Sequence, residues 1–176
     1  RRNINLKNIS KIDSLTGAYS HDEAYHRGRE DISRSRRDKT TIGFIMIDLD
    51  YFKHVNDHFG HLAGDFILKK LSTICKKEIR NVDTFARFGG EEFLVILPGV
   101  SNSRLKEIAE RLRIKIERTN FIYFKKLIHV KISAGTSFFD PTKDKTSNTN
   151  FTFRKYVKRA DDAMYRAKDK GRNRVI

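Results

Sequence analysis

Residues 41–47 (Thr-Ile-Gly-Phe-Ile-Met-Ile) form a continuous apolar run that stops abruptly at Asp48-Leu49-Asp50. Such a run reads as a buried strand. The pattern of the downstream residues limits the sheet this strand can join. A polar helical stretch leads to a turn at Phe59-Gly60-His61. From about Gly64 to Arg80 the apolar positions Ile67, Leu71, Ile74, Cys75 and Ile79 then share one helix face. Two strand-like runs, 84–88 and 91–97, flank Gly89-Gly90, which predicts a hairpin with a two-residue turn. Pro98-Gly99 stops the second run. Leu105, Ile108, Ala109, Leu112 and Ile116 mark another amphipathic helix. Residues 127–139 read as one strand and 140–150 as a polar loop. Val157, Ala160, Met164 and Ala167 stripe a last helix, and Val175-Ile176 begin a final strand.

The order β-α-β-β-α-β is the ferredoxin-like pattern. The expected fold is therefore mixed α/β of the α+β kind, with a mostly antiparallel central sheet flanked by helices. In that topology the first strand lies between the fourth and the third and runs opposite to the third. Asp48 and Asp50 should then meet Glu91 and Glu92 in space, although they are far apart in sequence.

The 176 residues fit one domain, and 38% hydrophobic content argues for a folded core rather than disorder. Residues 1–12 read as a lead-in helix or linker, and 13–176 as the domain itself. Arg1 rather than Met heads the chain, so it reads as a piece of a longer protein, with a sensor or regulatory domain expected upstream. The single Cys75, read as a core residue, cannot form an internal disulfide, and no signal peptide or membrane-length apolar run is visible. A cytoplasmic setting is expected, although the parent protein could still be membrane-attached. Net charge is +15. That excess suits a polyanionic ligand, or else is only a soluble basic surface.

Four carboxylates at one end of a sheet repel each other unless a cation neutralises them. Oxygen-only donors point to a hard ion, Mg²⁺ or Mn²⁺. The competing reading is that Asp48 and Asp50 cap the next helix and that the Glu pair is solvated. Gly89-Gly90 weakens it, because two glycines let a bulky ligand approach the backbone.

Arg87-Phe88-Gly89-Gly90-Glu91-Glu92-Phe93 resembles the signature of the GGDEF domain of diguanylate cyclases, in its GGEEF form. The segments 48–57, 59–65, and 160–168 with Gly171-Arg172-Asn173, resemble that family's other motifs in the same order. The resemblance runs from about Asp13 to Val175. It implies a palm-type, nucleotidyl-cyclase-like sheet and the Mg²⁺- or Mn²⁺-dependent condensation of two GTP into cyclic di-GMP, with two ions per site. It implies Asp48, the Leu49 carbonyl and Glu91 as metal ligands, with Glu92 adding charge beside them. Glu91 is also the implied base, and Lys53 stabilises phosphate charge. Asn56 and Asp65 would bond the guanine edge, with His61 in the same pocket. The amides of Tyr51 and Phe52 would take the terminal phosphates. Lys168 and Arg172, spaced i and i+4, would reach the triphosphate from one helix face, unless they are simply a solvated basic face. For Asp50, helix capping remains the better reading.

The resemblance also implies a homodimer, because each site holds one GTP and two must face each other. Arg80-Asn81-Val82-Asp83, at a fixed offset before Gly89, matches the family's product-inhibition motif. Arg111 matches a further product-binding arginine, or is a surface residue. Departures from the family pattern fall at Ala18, Ser20 and His21. His129 reads as a strand residue, and 121–124 as packing. Competing functions are a catalytically inactive GTP or cyclic di-GMP receptor, a cyclase of altered purine choice, which Asp65 opposes, and nucleic-acid binding, for which no recognition motif is present.

Overall fold

A computed structural model describes residues 10–176. Residues 1–9 of the expected lead-in lie outside the described residues. Residues 10–12 are not helical: Ile12 makes an antiparallel bridge to Tyr19. The first helix, α1 (His21–Asp38), was not evident from periodicity. Its buried residues are Ala24, Gly28, Asp31, Ile32 and Ser35, so it carries no stripe of large apolar side chains. Ser20 caps it, its hydroxyl accepting the Glu23 amide at 3.4 Å. The departure at Ser20 thus supplies an ordinary N-cap. Ala18 is buried in the core, and the His21 ring packs on Tyr25 and Phe88.

The strand β1 (Ile42–Leu49) is buried along its whole length. It leads to α2 (Phe52–Phe59) and, across Gly60 at φ 85°, to α3 (His61–Glu78). Then come β2 (Thr84–Arg87), β3 (Glu92–Pro98) and α4 (Asn102–Glu117). A small hairpin of β4 (Phe121–Tyr123) and β5 (Lys126–Ile128) precedes β6 (Ile132–Phe139) and α5 (Thr149–Asp169). The central sheet has the order β2-β3-β1-β6, with every neighbouring pair antiparallel. This is the predicted arrangement, with β1 between the fourth and third strands of the motif.

Alternation along β1 divides the interior in two. Ile45, Ile47 and Leu49 join the layer under α3 and α4, with Leu71, Leu105 and Leu112. Ile42, Phe44 and Met46 join the layer under α1 and α5, with Ile32, Phe153 and Tyr156. Each such buried side chain contributes roughly 1.5–3 kcal/mol, an upper range because the unfolded chain is partly collapsed. Asp48, next in the same parity as Met46, therefore points toward α5. At Gly135, in the middle of β6, an added Cβ would overlap Met164 N and Ala160 O and stand 2.6 Å from Ala163 C. Helix backbone lies directly on strand backbone there.

Three expectations about the strands need correction. Residues 127–139 are not one strand. Ile128 pairs with Phe121 in the small hairpin, and His129 lies exposed between β5 and β6, outside any strand. Of residues 121–124, Phe121 lies in the core and half-buried Tyr123 packs against it, whereas Ile122 and Phe124 are exposed. The Gly89-Gly90 turn is longer than two residues: the strands end at Arg87 and resume at Glu92. Val175 forms an isolated parallel bridge to Ala134, in line with the expected final strand.

Candidate active site

The end of β1 meets the β2–β3 turn, but the four carboxylates expected there do not gather into one cluster: among the described residues no three acidic side chains converge, and Asp50 is taken up by Ser133 and Asn173. Asp48 is the direct cross-strand partner of Glu92, and the Leu49 amide donates to the Glu91 carbonyl at 3.4 Å. Asp48 is 3% exposed. Its Oδ2 takes the Lys168 ammonium at 2.7 Å, while its Oδ1 is buried with no hydrogen-bond partner. An orphaned carboxylate oxygen is costly to keep, on the order of 1–3 kcal/mol. Burial pushes the Asp48 carboxyl up to about 6; Lys168 opposes the shift and the charges of Glu91 and Glu92 add to it. Burial likewise raises Glu91, against the pull of Lys168.

The turn carrying Glu91 is held from outside. Arg87 donates through Nε and Nη2 to the Gly90 carbonyl at 3.1 and 2.7 Å, and through Nη1 to Asp13 at 3.3 Å. The Phe88 and Gly89 amides both donate to the Glu92 carbonyl. Neither Gly89 nor Gly90 takes a left-handed φ. A Cβ on Gly89 would overlap the Glu92 carboxylate and push that side chain aside. A Cβ on Gly90 would meet nothing within 4 Å, so this side of the turn is open to a ligand. Sequence reasoning missed Asp13 and Arg87 as supports; the pairing of a loop acid with the arginine before Gly-Gly leaves no periodic signal.

Asp50 does not cap α2. It is buried, and accepts the Ser133 hydroxyl at 2.7 Å and the Asn173 amide at 2.9 Å, tying β1 to β6 and to the segment after α5. The N-cap of α2 is Tyr51, at φ 57°, with no side-chain cap and no acid in the first turn. The amides opening α2 thus lack a capping carboxylate or hydroxyl, which suits them to anionic oxygens. Lys53 is exposed in that first turn. Asn56 and Gly64 are in close contact: a Cβ on Gly64 would overlap Asn56 Oδ1 and stand 3.0 Å from Phe52 Cζ. That places Asn56, on α2, beside the α3 turn carrying half-buried Asp65, with exposed His61 at the start of α3.

Lys168 and Arg172 do not share a helix face. α5 ends at Asp169, and Arg172 lies beyond it in a left-handed conformation, φ 63°. The two still serve the same end of the sheet: Lys168 reaches Asp48, and the Arg172 guanidinium stacks over the Tyr51 ring at 4.6 Å.

Arg80 lies just past the C-cap of α3. It grips Asp83 through Nη2 at 2.7 Å and Nε at 3.2 Å, and Nη2 also donates to the Pro98 carbonyl at 2.8 Å. The Asp83 side chain is only 2% exposed, whereas that of Arg80 is 55% exposed. The pair borders a cavity of about 210 Å³ lined by Tyr19, Lys76, Asn81 and Phe85 among others. Arg111 is held by Glu78, donating to its carbonyl at 2.7 Å and pairing with its carboxylate at 3.3 Å.

A family model described as the diguanylate cyclase GGDEF domain matches residues 10–174. The chain belongs to the GGDEF family. This GGDEF domain is 42% identical over 144 residues to diguanylate cyclase A of Treponema denticola, covering 82% of this chain and 37% of that protein. It is 34% identical over 172 residues to the response regulator PleD of Caulobacter vibrioides, covering 96% of this chain and 36% of that one. The GGDEF domain thus spans little more than a third of either relative. Among solved structures it resembles the diguanylate cyclase SiaD of Pseudomonas aeruginosa, in complex with its activator SiaC (TM-score 0.86, 32% identity, 97% of this chain and 63% of that one). It also resembles the GGDEF domain of DgcB from Caulobacter crescentus in complex with c-di-GMP (TM-score 0.85, 25% identity, 99% and 96%). No described helix is long and apolar enough to cross a membrane.

Proposed function

We propose that this GGDEF domain is a diguanylate cyclase, joining two GTP into cyclic di-GMP with release of pyrophosphate. The observation that carries this is Asp48. Its buried, unpartnered oxygen stands where β1 meets the Gly89-Gly90-Glu91-Glu92 turn, in a chain that the diguanylate cyclase GGDEF family model matches over residues 10–174.

A divalent cation fits the residues present. Among the described residues no three acidic, His or Cys side chains converge into a self-sufficient cage. Mg²⁺ takes few protein carboxylates and completes its shell with water and phosphate oxygens. Asp48, the Leu49 carbonyl and Glu91 would hold it, with Glu92 adjacent. Two Mg²⁺ or Mn²⁺ ions there would supply positive charge at the reacting phosphate.

The chain's own groups do the rest. The amides of Tyr51 and Phe52, with Lys53, Lys168 and Arg172, bind the triphosphate. Asn56 and Asp65 bond guanine, with His61 beside them. Glu91 takes the proton of the 3′-hydroxyl of one GTP as that oxygen bonds to the α-phosphorus of the other, and the bond to pyrophosphate breaks. Each domain holds one GTP, so two domains of a homodimer face each other. Arg80, Asp83 and Arg111 form the product-inhibition site; the cavity beside Arg80 and Asp83 supports that pair, and Arg111 lies outside its lining. As a consumer of GTP the domain would work in the cytoplasm.

Incubation with GTP and Mg²⁺ or Mn²⁺, followed by mass identification of the product, tests the reading. Cyclic di-GMP should form in the parent and not in Glu91→Gln. Tight GTP or cyclic di-GMP binding with no turnover by the dimer would instead select the receptor reading.

A further inference from the structure

The β4–β5 hairpin is built at its root and unfinished at its tip. Phe121 and Ile128 pair across the strands and are buried. The Tyr123 ring lies 5.5 Å from Phe66 of α3, and the Lys70 ammonium donates to the Asn120 carbonyl at 2.8 Å. Pairing of Ile122 with Leu127 puts these two on the opposite face, where they are 56% and 47% exposed. The two turn residues, Phe124 and Lys125, have φ 44° and 64°. Two left-handed residues joining paired strands make the turn type best filled by Asn-Gly. A phenylalanine there strains the backbone. Its ring meets Tyr123 edge-on at 4.6 Å yet is 83% exposed, so it gives the core nothing in return.

The hairpin itself carries charge of one sign. From residue 119 to residue 130 the chain carries Lys125 and Lys126 and no Asp or Glu. Both lysines are exposed. An aromatic and two aliphatic side chains presented beside two adjacent lysines complement a surface that is apolar inside and anionic at its face.

We propose that this hairpin docks on an anionic phospholipid leaflet. Phe124, with Ile122 and Leu127, enters the interface between headgroups and acyl chains, while Lys125 and Lys126 lie among the headgroup phosphates. Lysine stems suit this position, because their carbons lie along apolar surface while the ammonium stays at the polar boundary. A nucleic acid would satisfy the lysines and leave the three apolar side chains in water. Docking of the hairpin stands independent of cyclase chemistry, since none of Ile122, Phe124, Lys125, Lys126 and Leu127 is a residue assigned to metal or GTP.

The chain has no tryptophan, so Phe124→Trp introduces a single reporter. With vesicles of phosphatidylcholine containing phosphatidylglycerol, its emission should shift to the blue. With pure phosphatidylcholine vesicles it should not. Phe151→Trp, a second exposed phenylalanine outside the hairpin, should stay unshifted in both. In co-sedimentation, Phe124→Ser keeps the charge and should lower partition onto the anionic vesicles roughly tenfold, the order expected for one phenyl ring. Phe151→Ser should bind as the parent does. Binding without a blue shift, or unchanged by Phe124→Ser, would reduce the interaction to unspecific charge and overturn the assignment. A shift that appears without vesicles and grows with protein concentration would overturn it in favour of a second copy of the chain.

Discussion

Gly64→Ala tests the guanine pocket from outside it. In the body of a helix this substitution favours folding by about 1 kcal/mol. Here the new Cβ overlaps Asn56 Oδ1 and stands 3.0 Å from Phe52 Cζ, with Asn56 Cγ at 3.1 Å. The Phe52 ring is buried, so the Asn56 amide is the part free to yield. Once displaced, it loses its place at the guanine edge. Each lost hydrogen bond is worth about 0.5–1.5 kcal/mol. Asn can make two, so GTP affinity should fall roughly tenfold, at about 1.4 kcal/mol per decade. Global stability should change by less than about 1 kcal/mol, because the helix gain and the packing loss oppose each other. Calorimetry with a GTP analogue whose α–β bridge cannot be cleaved, alongside thermal melts, reads both quantities. Asn56→Ala should weaken binding similarly, and the double variant should be little worse than either, since both remove one contact. Parent-like binding by Gly64→Ala together with weak binding by Asn56→Ala would show that the amide evades the methyl group. Parent-like binding by both would remove Asn56 from the pocket.

Asp31→Asn should stabilise the domain at neutral pH. Burial raises the Asp31 carboxyl from 3.8 to about 6, with Arg34 and Arg27 opposing and Glu30 and Asp83 adding. The folded state therefore holds this proton more tightly than the unfolded one, and Asp31 lowers stability as pH rises through that window. The gain from Asn should climb from under about 1 kcal/mol near pH 4 to roughly 3 kcal/mol above pH 7. Urea midpoints showing equal losses at both ends would mean that the arginines outweigh burial. Lys168→Met leaves Asp48 buried without its cation and should destabilise by about 2–3 kcal/mol at pH 7. Added Mg²⁺ without nucleotide should then raise the melting temperature of the variant more than that of the parent; equal shifts would argue against a cation at Asp48. Arg80→Ala should weaken cyclic di-GMP binding, leave the initial rate with GTP nearly unchanged, and lower stability by about 1–3 kcal/mol, because Asp83 stays buried. Identical product affinity would leave Arg80 as a structural tie only.

The sheet was legible in the sequence because its strands are apolar and its turns carry glycine or proline, and the meeting of Asp48 with Glu92 followed from topology alone. α1 was not, since it buries Ala24, Gly28 and Ser35 rather than large side chains. The readable trace was Ser20 followed three residues later by Glu23, the spacing of a capping box. Asp50 was misassigned because a carboxylate before a helix is commonly a cap; its partners Ser133 and Asn173 lie far away in sequence. The relation of Lys168 to Arg172 failed at a helix end, where the left-handed turn at Arg172 overrides residue spacing.

The contact at Gly135 sets a mechanical limit on the site. α5 rests on β6 backbone to backbone, at Ala160, Ala163 and Met164, with no side-chain layer between them to creep or tilt upon. Lys168 follows one turn later on the same rigid rod. The helix acts as a fixed stop, and the ammonium can leave Asp48 for a phosphate only by rotating its own four-carbon stem. The travel open to this cation is set by one side chain, and a signal reaching α5 from elsewhere could seat or unseat the whole helix but could not gradually adjust its reach.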